Sequence, residues 1–255
     1  MRIQLTVAYD GTSYHGWQVQ PGDIRTIEGE LNRVLTELTG EAITVIGASR
    51  TDAGVHANGN IAVFDTASSI PPMGFLKALN GKLPWDIRIV EALQVPDDFH
   101  PRHTDTRKTY CYHVYHGDII PPTDRLYNFH VYGPLDIDAM KLAASSFVGE
   151  HDFAGFCAVG NQTETTIRTI FDLQVSAITD TKIINDGAGE YIEIRVTGSG
   201  FLYNMVRIIA GTLLEVGRGR IKAEDMPEII ASCDRSKAGP TLPPMGLVLE
   251  KYEFV

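Results

Sequence analysis

The chain is poor in cysteine, has no long apolar run and is short of positive charge, and each shortage narrows what it can be. Its three cysteines, Cys111, Cys157 and Cys233, are odd in number, widely spaced and without a Cys-x-x-Cys pair. That argues against a disulfide framework or a zinc module and fits the reduced thiols of a cytoplasmic protein. No stretch reaches the unbroken apolar length that spans a bilayer. The opening residues, Met1-Arg2-Ile3-Gln4-Leu5-Thr6, lack the apolar run of a secretion signal. A Walker A glycine string, a His-Glu-x-x-His helix and clustered metal ligands are all missing, so neither cofactor nor metal is expected. Gly198-Ser199-Gly200 begins like a dinucleotide fingerprint, but no glycine completes the pattern at useful spacing.

The shortage of charge has two sides. With 22 Lys and Arg against 32 Asp and Glu, the formal net charge is -10, which argues mildly against binding a polyanion. Net charge is a whole-molecule average, however, and the cations cluster. Arg102, His103, Arg107 and Lys108 form one group, and Arg207, Arg218, Arg220 and Lys222 another. The acidic residues concentrate elsewhere, from Glu91 to Asp98 and from Glu224 to Glu228. An acidic body with basic patches is compatible with RNA.

What is present is an ordinary globular composition, 44% hydrophobic and 21% charged over 255 residues, enough for one large or two small domains. Ile3, Leu5, Val7 and Tyr9 alternate with polar or small neighbours at the period of a half-buried strand. Thr26 is a candidate N-cap, Ile27, Leu31, Val34, Leu35 and Leu38 recur at helical spacing, and Gly40 ends the helix. Strands are predicted over 42–46, 60–64 and 87–90, and a helix from Pro71-Pro72 to Gly81. The order then recurs: a strand over 109–115, a helix over 138–147, strands over 170–178 and 191–196, an apolar helix over 201–216, and a closing strand over 247–252. Strand-helix-strand-strand-helix-strand, stated twice, predicts an α+β fold. It would consist of two ferredoxin-like or RRM-like halves with antiparallel sheets, 1–102 and 103–255, and a central cleft between them.

Between the strands predicted at 42–46 and 60–64 lies Gly47-Ala48-Ser49-Arg50-Thr51-Asp52-Ala53-Gly54-Val55-His56-Ala57. Its glycines allow sharp bends and close approach of a substrate to the backbone. Asp52 has a guanidinium two residues before it and a histidine four after it. Such cations keep a carboxylate ionised, as a nucleophile or proton acceptor requires. A turn- or helix-capping Asp is the ordinary alternative.

The string Ser49 to Ala57 resembles the catalytic loop of the tRNA pseudouridine synthase A (TruA) family, in which the Asp is the nucleophile. Four further segments strengthen the resemblance in the family's order. They are Tyr9-Asp10-Gly11-Thr12 with His15-Gly16-Trp17-Gln18; Leu79-Asn80 with Leu83-Pro84; Gly200-Phe201-Leu202-Tyr203-Asn204-Met205-Val206-Arg207 running on to Gly219; and Ala238-Gly239-Pro240-Thr241 through Gly246-Leu247. Two departures stand out: Asn204 where many relatives carry His, and Pro243-Pro244-Met245 before the final Gly-Leu.

The resemblance implies a cofactor-independent isomerase that converts uridine to pseudouridine in the anticodon stem-loop of tRNA, at uridines thirty-eight to forty, and works as a homodimer. It implies roles for four residues. Asp52 is the nucleophile or base. Arg50, otherwise a solvated loop cation, fills the space left by the flipped nucleotide. Tyr110, otherwise an ordinary strand residue, stacks on the target base. Arg207 sits in a helix apolar nearly all round, where a guanidinium needs a partner; the resemblance pairs it with Asp52 across the cleft, against a structural pair with some core carboxylate. Arg102, His103, Lys108, Arg168 and Arg218 are the phosphate candidates. His56 is read as making a hydrogen bond within the loop, with a proton-carrying role as the alternative, and Trp17 and Gln18 are either RNA contacts or, for Trp17, core. Two other classes remain: a non-catalytic tRNA-binding and folding chaperone, which leaves Asp52 unexplained, and an N-glycoside hydrolase, which wants a second carboxylate that the loop does not offer.

Overall fold

The computed structural model describes residues 1–102, 104–160, 163–179 and 189–255. His103, one of the phosphate candidates, lies outside the described residues. The chain divides into two compact units, Met1–Thr106 with Val248–Val255, and Arg107–Leu247. The last strand therefore packs with the first unit, whereas the element order alone put it with the second half.

The first unit starts with β1 (Arg2–Tyr9), α1 (Ile27–Thr39), β2 (Ile46–Gly47), β3 (His56–Asp65), α2 (Pro72–Lys82) and β4 (Ile87–Val95), and closes with β10 (Leu247–Phe254). Its strands lie in the order β4-β1-β3-β10, with β2 also on β3. The β1–β3 and β1–β4 pairs are antiparallel, and β10 joins β3 in parallel. Ile3, Leu5 and Val7 of β1 are fully buried, as are Ile27, Leu31, Val34 and Leu35 of α1. Phe64 of β3 meets Phe75 of α2 edge-on at 5.2 Å. The two caps of α1 are those the sequence signals. Thr26 accepts from the Gly29 N–H, and Gly40 ends the helix in the left-handed region at φ 74°.

The strand predicted over 42–46 shrinks to Ile46–Gly47. The helix takes the rest: Asn32 accepts from the Val45 N–H at 2.8 Å and Thr36 from the Ile43 N–H at 3.2 Å. With those backbone donors satisfied by α1, the segment docks on the helix instead of extending the ladder.

The second unit contains β5 (Thr106–His116), β6 (Phe129–Val131), α3 (Ile137–Ser145), β7 (Gly149–Asp152), β8 (Ile167–Thr179), β9 (Glu190–Gly198), α4 (Met205–Gly217) and α5 (Met226–Ala231). Its strands run β5-β9-β8-β7, antiparallel throughout, with β6 parallel to β5. Ile192, Ile194, Val196, Phe147, Phe153 and Phe156 form part of its core, together with Ile208, Ile209 and Leu213 of α4. That helix begins four residues later than its apolar run, because Asn204 adopts φ 61° and turns the chain before Met205. Each unit is thus an α+β body on a mainly antiparallel sheet, the fold class expected from the sequence.

Candidate active site

Asp52 is half-buried, in a loop strapped to its surroundings on both sides. Before it, the Thr51 carbonyl accepts from the Trp17 N–H at 3.0 Å, and the Thr51 hydroxyl bonds the buried Tyr9 hydroxyl at 2.7 Å. After it, the Gly54 N–H donates to the Tyr14 carbonyl at 3.2 Å, and the Val55 N–H returns to the Asp52 carbonyl at 3.1 Å. The segment 14–17 therefore grips the loop at two points with Asp52 between them. The same segment is tied to the start of α1, since Gly16 and Trp17 carbonyls accept from the Ile27 and Glu28 N–H groups.

Asn60, fully buried on β3, supplies a second anchor. Its side-chain oxygen accepts from the Ser49 N–H, and its amide donates to the Ser49 carbonyl at 3.0 Å and to the Tyr9 hydroxyl at 3.3 Å. Burial drives the Tyr9 hydroxyl to titrate far above its usual range, against the bonds with Thr51 and Asn60, so it stays protonated and neutral. Satisfied buried networks of this kind fix one conformation. Only glycine fits at two contact points. A Cβ on Gly11 would lie 2.0 Å from the Val55 carbonyl oxygen. A Cβ on Gly16, at φ +89°, would lie 2.7 Å from the Thr51 carbonyl oxygen.

The other loop residues sort by environment. His56 is buried, with its Nδ1 accepting from the Gly11 N–H at 3.1 Å and lying 3.2 Å from an Asp10 carboxylate oxygen. Trp17 is core, 1% exposed, while Gln18 is exposed. Arg50 is exposed and has no carboxylate partner among the described residues. Arg102 donates from Nε to the Gly47 carbonyl at 2.7 Å, so it braces the base of the same loop. Its guanidinium titrates below the usual range because of burial and, next, the neighbouring Arg50 charge. Arg50 and Arg102 thus lie near one another at the Asp52 loop.

In the second unit, Tyr110 lies on β5 opposite Val196 and is 8% exposed. Its ring meets Phe201 edge-on at 5.3 Å. Arg207, in the first turn of α4, is half-buried. Its Nε donates to the Leu242 carbonyl and its Nη1 to the Asn204 side-chain oxygen, both at 2.6 Å. These bonds fix the plane of the guanidinium. Lys108 is half-buried on β5. Arg168 folds back on its own chain, donating to the Thr165 and Ile167 carbonyls, and burial lowers its titration range. Arg218 donates to Glu215 at 2.9 Å.

A family model described as tRNA pseudouridine synthase matches residues 5–104 and 143–255. The chain belongs to the tRNA pseudouridine synthase family. Among curated relatives, it is 46% identical over 252 residues to a tRNA pseudouridine synthase A 2 of Clostridium perfringens, with 99% of each chain covered. It is 45% identical over 247 residues to the tRNA pseudouridine synthase A of Caldicellulosiruptor bescii, covering 97% of each. With that of Moorella thermoacetica it shares 44% over 253 residues and 99% of each chain. Family membership spans both units, so the resemblance seen in the Asp52 string holds for nearly the whole sequence. The departure at Asn204 acquires a local meaning: its left-handed backbone starts α4, and its side chain orients Arg207. The anchors Asn60 and Thr51 escaped the sequence reading. The signal for Asn60 was there, as a lone polar residue opening the apolar run Ile61-Ala62-Val63-Phe64.

Proposed function

We infer that this protein is an isomerase converting uridine to pseudouridine in tRNA, with Asp52 as its nucleophile or base. Family membership supports the reaction, and the double strap around Asp52 is the observation that supports the residue. The chemistry breaks the uracil N-glycosidic bond, rotates the base and rejoins its C5 to the ribose C1′, with the C5 proton lost to the N1 side by way of base and solvent. Composition is unchanged, so no oxidant or reductant takes part. Attack on the sugar, attack on the base and abstraction of the 2′ proton all begin with one ionised carboxylate held in a fixed place. A loop locked by Tyr9, Asn60 and segment 14–17 offers that without further reorganisation.

In this reading the substrate region is the anticodon stem-loop. Arg50 stands in for the extruded nucleotide, which offsets part of a flipping cost of a few kcal/mol. Tyr110 and Arg207 are the substrate-binding groups of the second unit. Arg102, Lys108, Arg168 and, from outside the described residues, His103 are the proposed phosphate contacts, whereas Arg218 is already matched by Glu215. The protein acts in the cytoplasm as a homodimer. No helix among the described residues is long and apolar enough to cross a membrane.

The test is digestion of a tRNA transcript to nucleosides after incubation with the protein. Pseudouridine formed by the wild type and absent with Asp52→Ala, which still binds tRNA, is the expected result. Binding without any pseudouridine would favour a tRNA chaperone, and release of free uracil a hydrolase.

A further inference from the structure

In the second unit, the adjoining strands β5 and β9 carry a group of side chains that the isomerisation does not use. Cys111 and His113 stand two residues apart on β5 and therefore share one face of the sheet. His113 lies directly opposite Glu193 of β9, and Cys111 opposite Arg195. The Cys111 Sγ is 3.9 Å from the His113 Nδ1, and that nitrogen is 3.9 Å from the Glu193 Oε1. All three ligand atoms lie within 4.8 Å of one another, and no second such trio occurs among the described residues.

A tetrahedral Zn2+ holds sulfur at about 2.3 Å and nitrogen or oxygen at roughly 2.0–2.2 Å, which spaces its donors about 3.4–3.6 Å apart. The two separations through the His113 Nδ1, 3.9 Å each, come within half an ångström of that, while the Cys111–Glu193 pair, held only within 4.8 Å, has to draw together on binding. Glu193 is already oriented as a ligand, because its Oε2 accepts from Arg195 Nη2 at 3.1 Å, which leaves Oε1 on the side of His113. A charged donor on the far oxygen of a ligating carboxylate is the usual outer support of a metal centre. Cys111 is fully buried, while the side chains of His113 and Glu193 are 29% and 26% exposed, so a cation has a route in from solvent. The same face continues onto β8 with Gln174 opposite Arg195 and Ser176 opposite Glu193, a polar row in place of an apolar one.

We propose that Cys111, His113 and Glu193 bind a thiophilic divalent cation, Zn2+ above all, that ties β5 to β9, with water in the fourth position. On binding, the Cys111 thiol gives its proton to solvent and Sγ ligates as thiolate. His113 binds through Nδ1 in its neutral form and Glu193 through Oε1. The +2 charge then meets two anionic ligands and one neutral one, and a soft sulfur donor selects zinc over magnesium or calcium. The sequence suggested no metal because its ligands are split between two strands, and a Cys-x-His pair alone matches no standard spacing. The proposal is independent of the isomerase reading.

The full chain, reduced and stripped of metal with a chelator, is titrated with Co2+ as an optical probe and then with Zn2+ as competitor. One equivalent of Co2+ is expected to give a thiolate charge-transfer band and the ligand-field bands of a tetrahedral site, which Zn2+ abolishes, with proton release on binding. Cys111→Ser removes the charge-transfer band, Cys157→Ser and Cys233→Ser retain it, and Glu193→Gln weakens affinity by about tenfold or more. Because Cys111 is buried, the more exposed Glu193→Gln keeps the test valid should Cys111→Ser not fold. A folded, reduced wild type with no charge-transfer band overturns the proposal. So does a band that survives in folded Cys111→Ser, or an affinity unchanged in Glu193→Gln.

Discussion

The loop around Asp52 and the end of α4 both gather arginines, and they dispose of the charge in opposite ways. At the end of α4, Arg218 and Arg220 share one carboxylate: Glu215 accepts from both, at 2.9 Å and 3.0 Å. At the Asp52 loop, Arg50 and Arg102 lie close enough that one depresses the other's titration, and Arg102 spends its Nε on the Gly47 carbonyl. A guanidinium already matched by a carboxylate gains little from a phosphate, since it must give up one anion for another. A pair of neighbouring cations gains doubly, because an anion between them also relieves their repulsion. Charge counted along the sequence weighs Arg218 and Arg102 alike; charge counted in space favours the Asp52 loop as the place where a polyanion docks.

Four perturbations break or sharpen that contrast. The largest effect is expected from Gly11→Ala, whose Cβ would collide with the Val55 carbonyl at 2.0 Å and push the Asp52 loop out of place. Displacements near an ångström cost on the order of 100-fold in rate, so turnover should fall by that much while tRNA affinity changes little. Asn60→Ala removes the amide that bonds Ser49 and Tyr9. Buried groups left unpaired cost about 1–3 kcal/mol, to be read as a lowered melting temperature together with reduced turnover.

Next in size come the cations. Arg50→Ala and Arg102→Ala should each flatten the salt dependence of tRNA binding by roughly one unit of slope, whereas Arg218→Ala should change it by much less. Equal slopes in all three would remove the contrast. The smallest effect concerns acid. Burial pushes the Glu215 carboxyl up, but hydrogen bonds from Arg220 and Arg218 outweigh it and hold the group below its usual range. A carboxyl titrating lower in the folded state stabilises the fold above its unfolded value, about pH 4.3. That contribution disappears as pH falls through the lower folded value. The stability gap between wild type and Glu215→Gln should therefore narrow as pH falls below the unfolded value of about 4.3, followed by chemical unfolding at each pH.

Local signals made much of this legible in the sequence. Thr26 and Gly40 bounded α1 because caps are written in the residues that form them, and β1 followed from alternation. The 42–46 segment departs from its strand pattern because its hydrogen bonds go to Asn32 and Thr36 of the preceding helix, a tertiary choice no strand propensity reports. The start of α4 was set early by apolar spacing and late by the left-handed Asn204. In the site, the Asp52 string carried its own chemistry, whereas its anchors did not. Tyr9 meets Thr51 across 42 residues and Asn60 across 51, and such pairs are visible only once β1 and β3 have paired. Arg102 counted as one more basic residue until its bond to Gly47 tied it to the loop.

The most direct test of the central claim, that the strapped carboxylate of Asp52 does the chemistry, is single-turnover tritium release from C5-labelled uridine in tRNA. Wild type and Asp52→Asn are compared at saturating protein, with tRNA binding measured on the same preparations. The account predicts release by the wild type and none above background by Asp52→Asn, with binding retained in both. Release by Asp52→Asn at a rate near that of the wild type would contradict it.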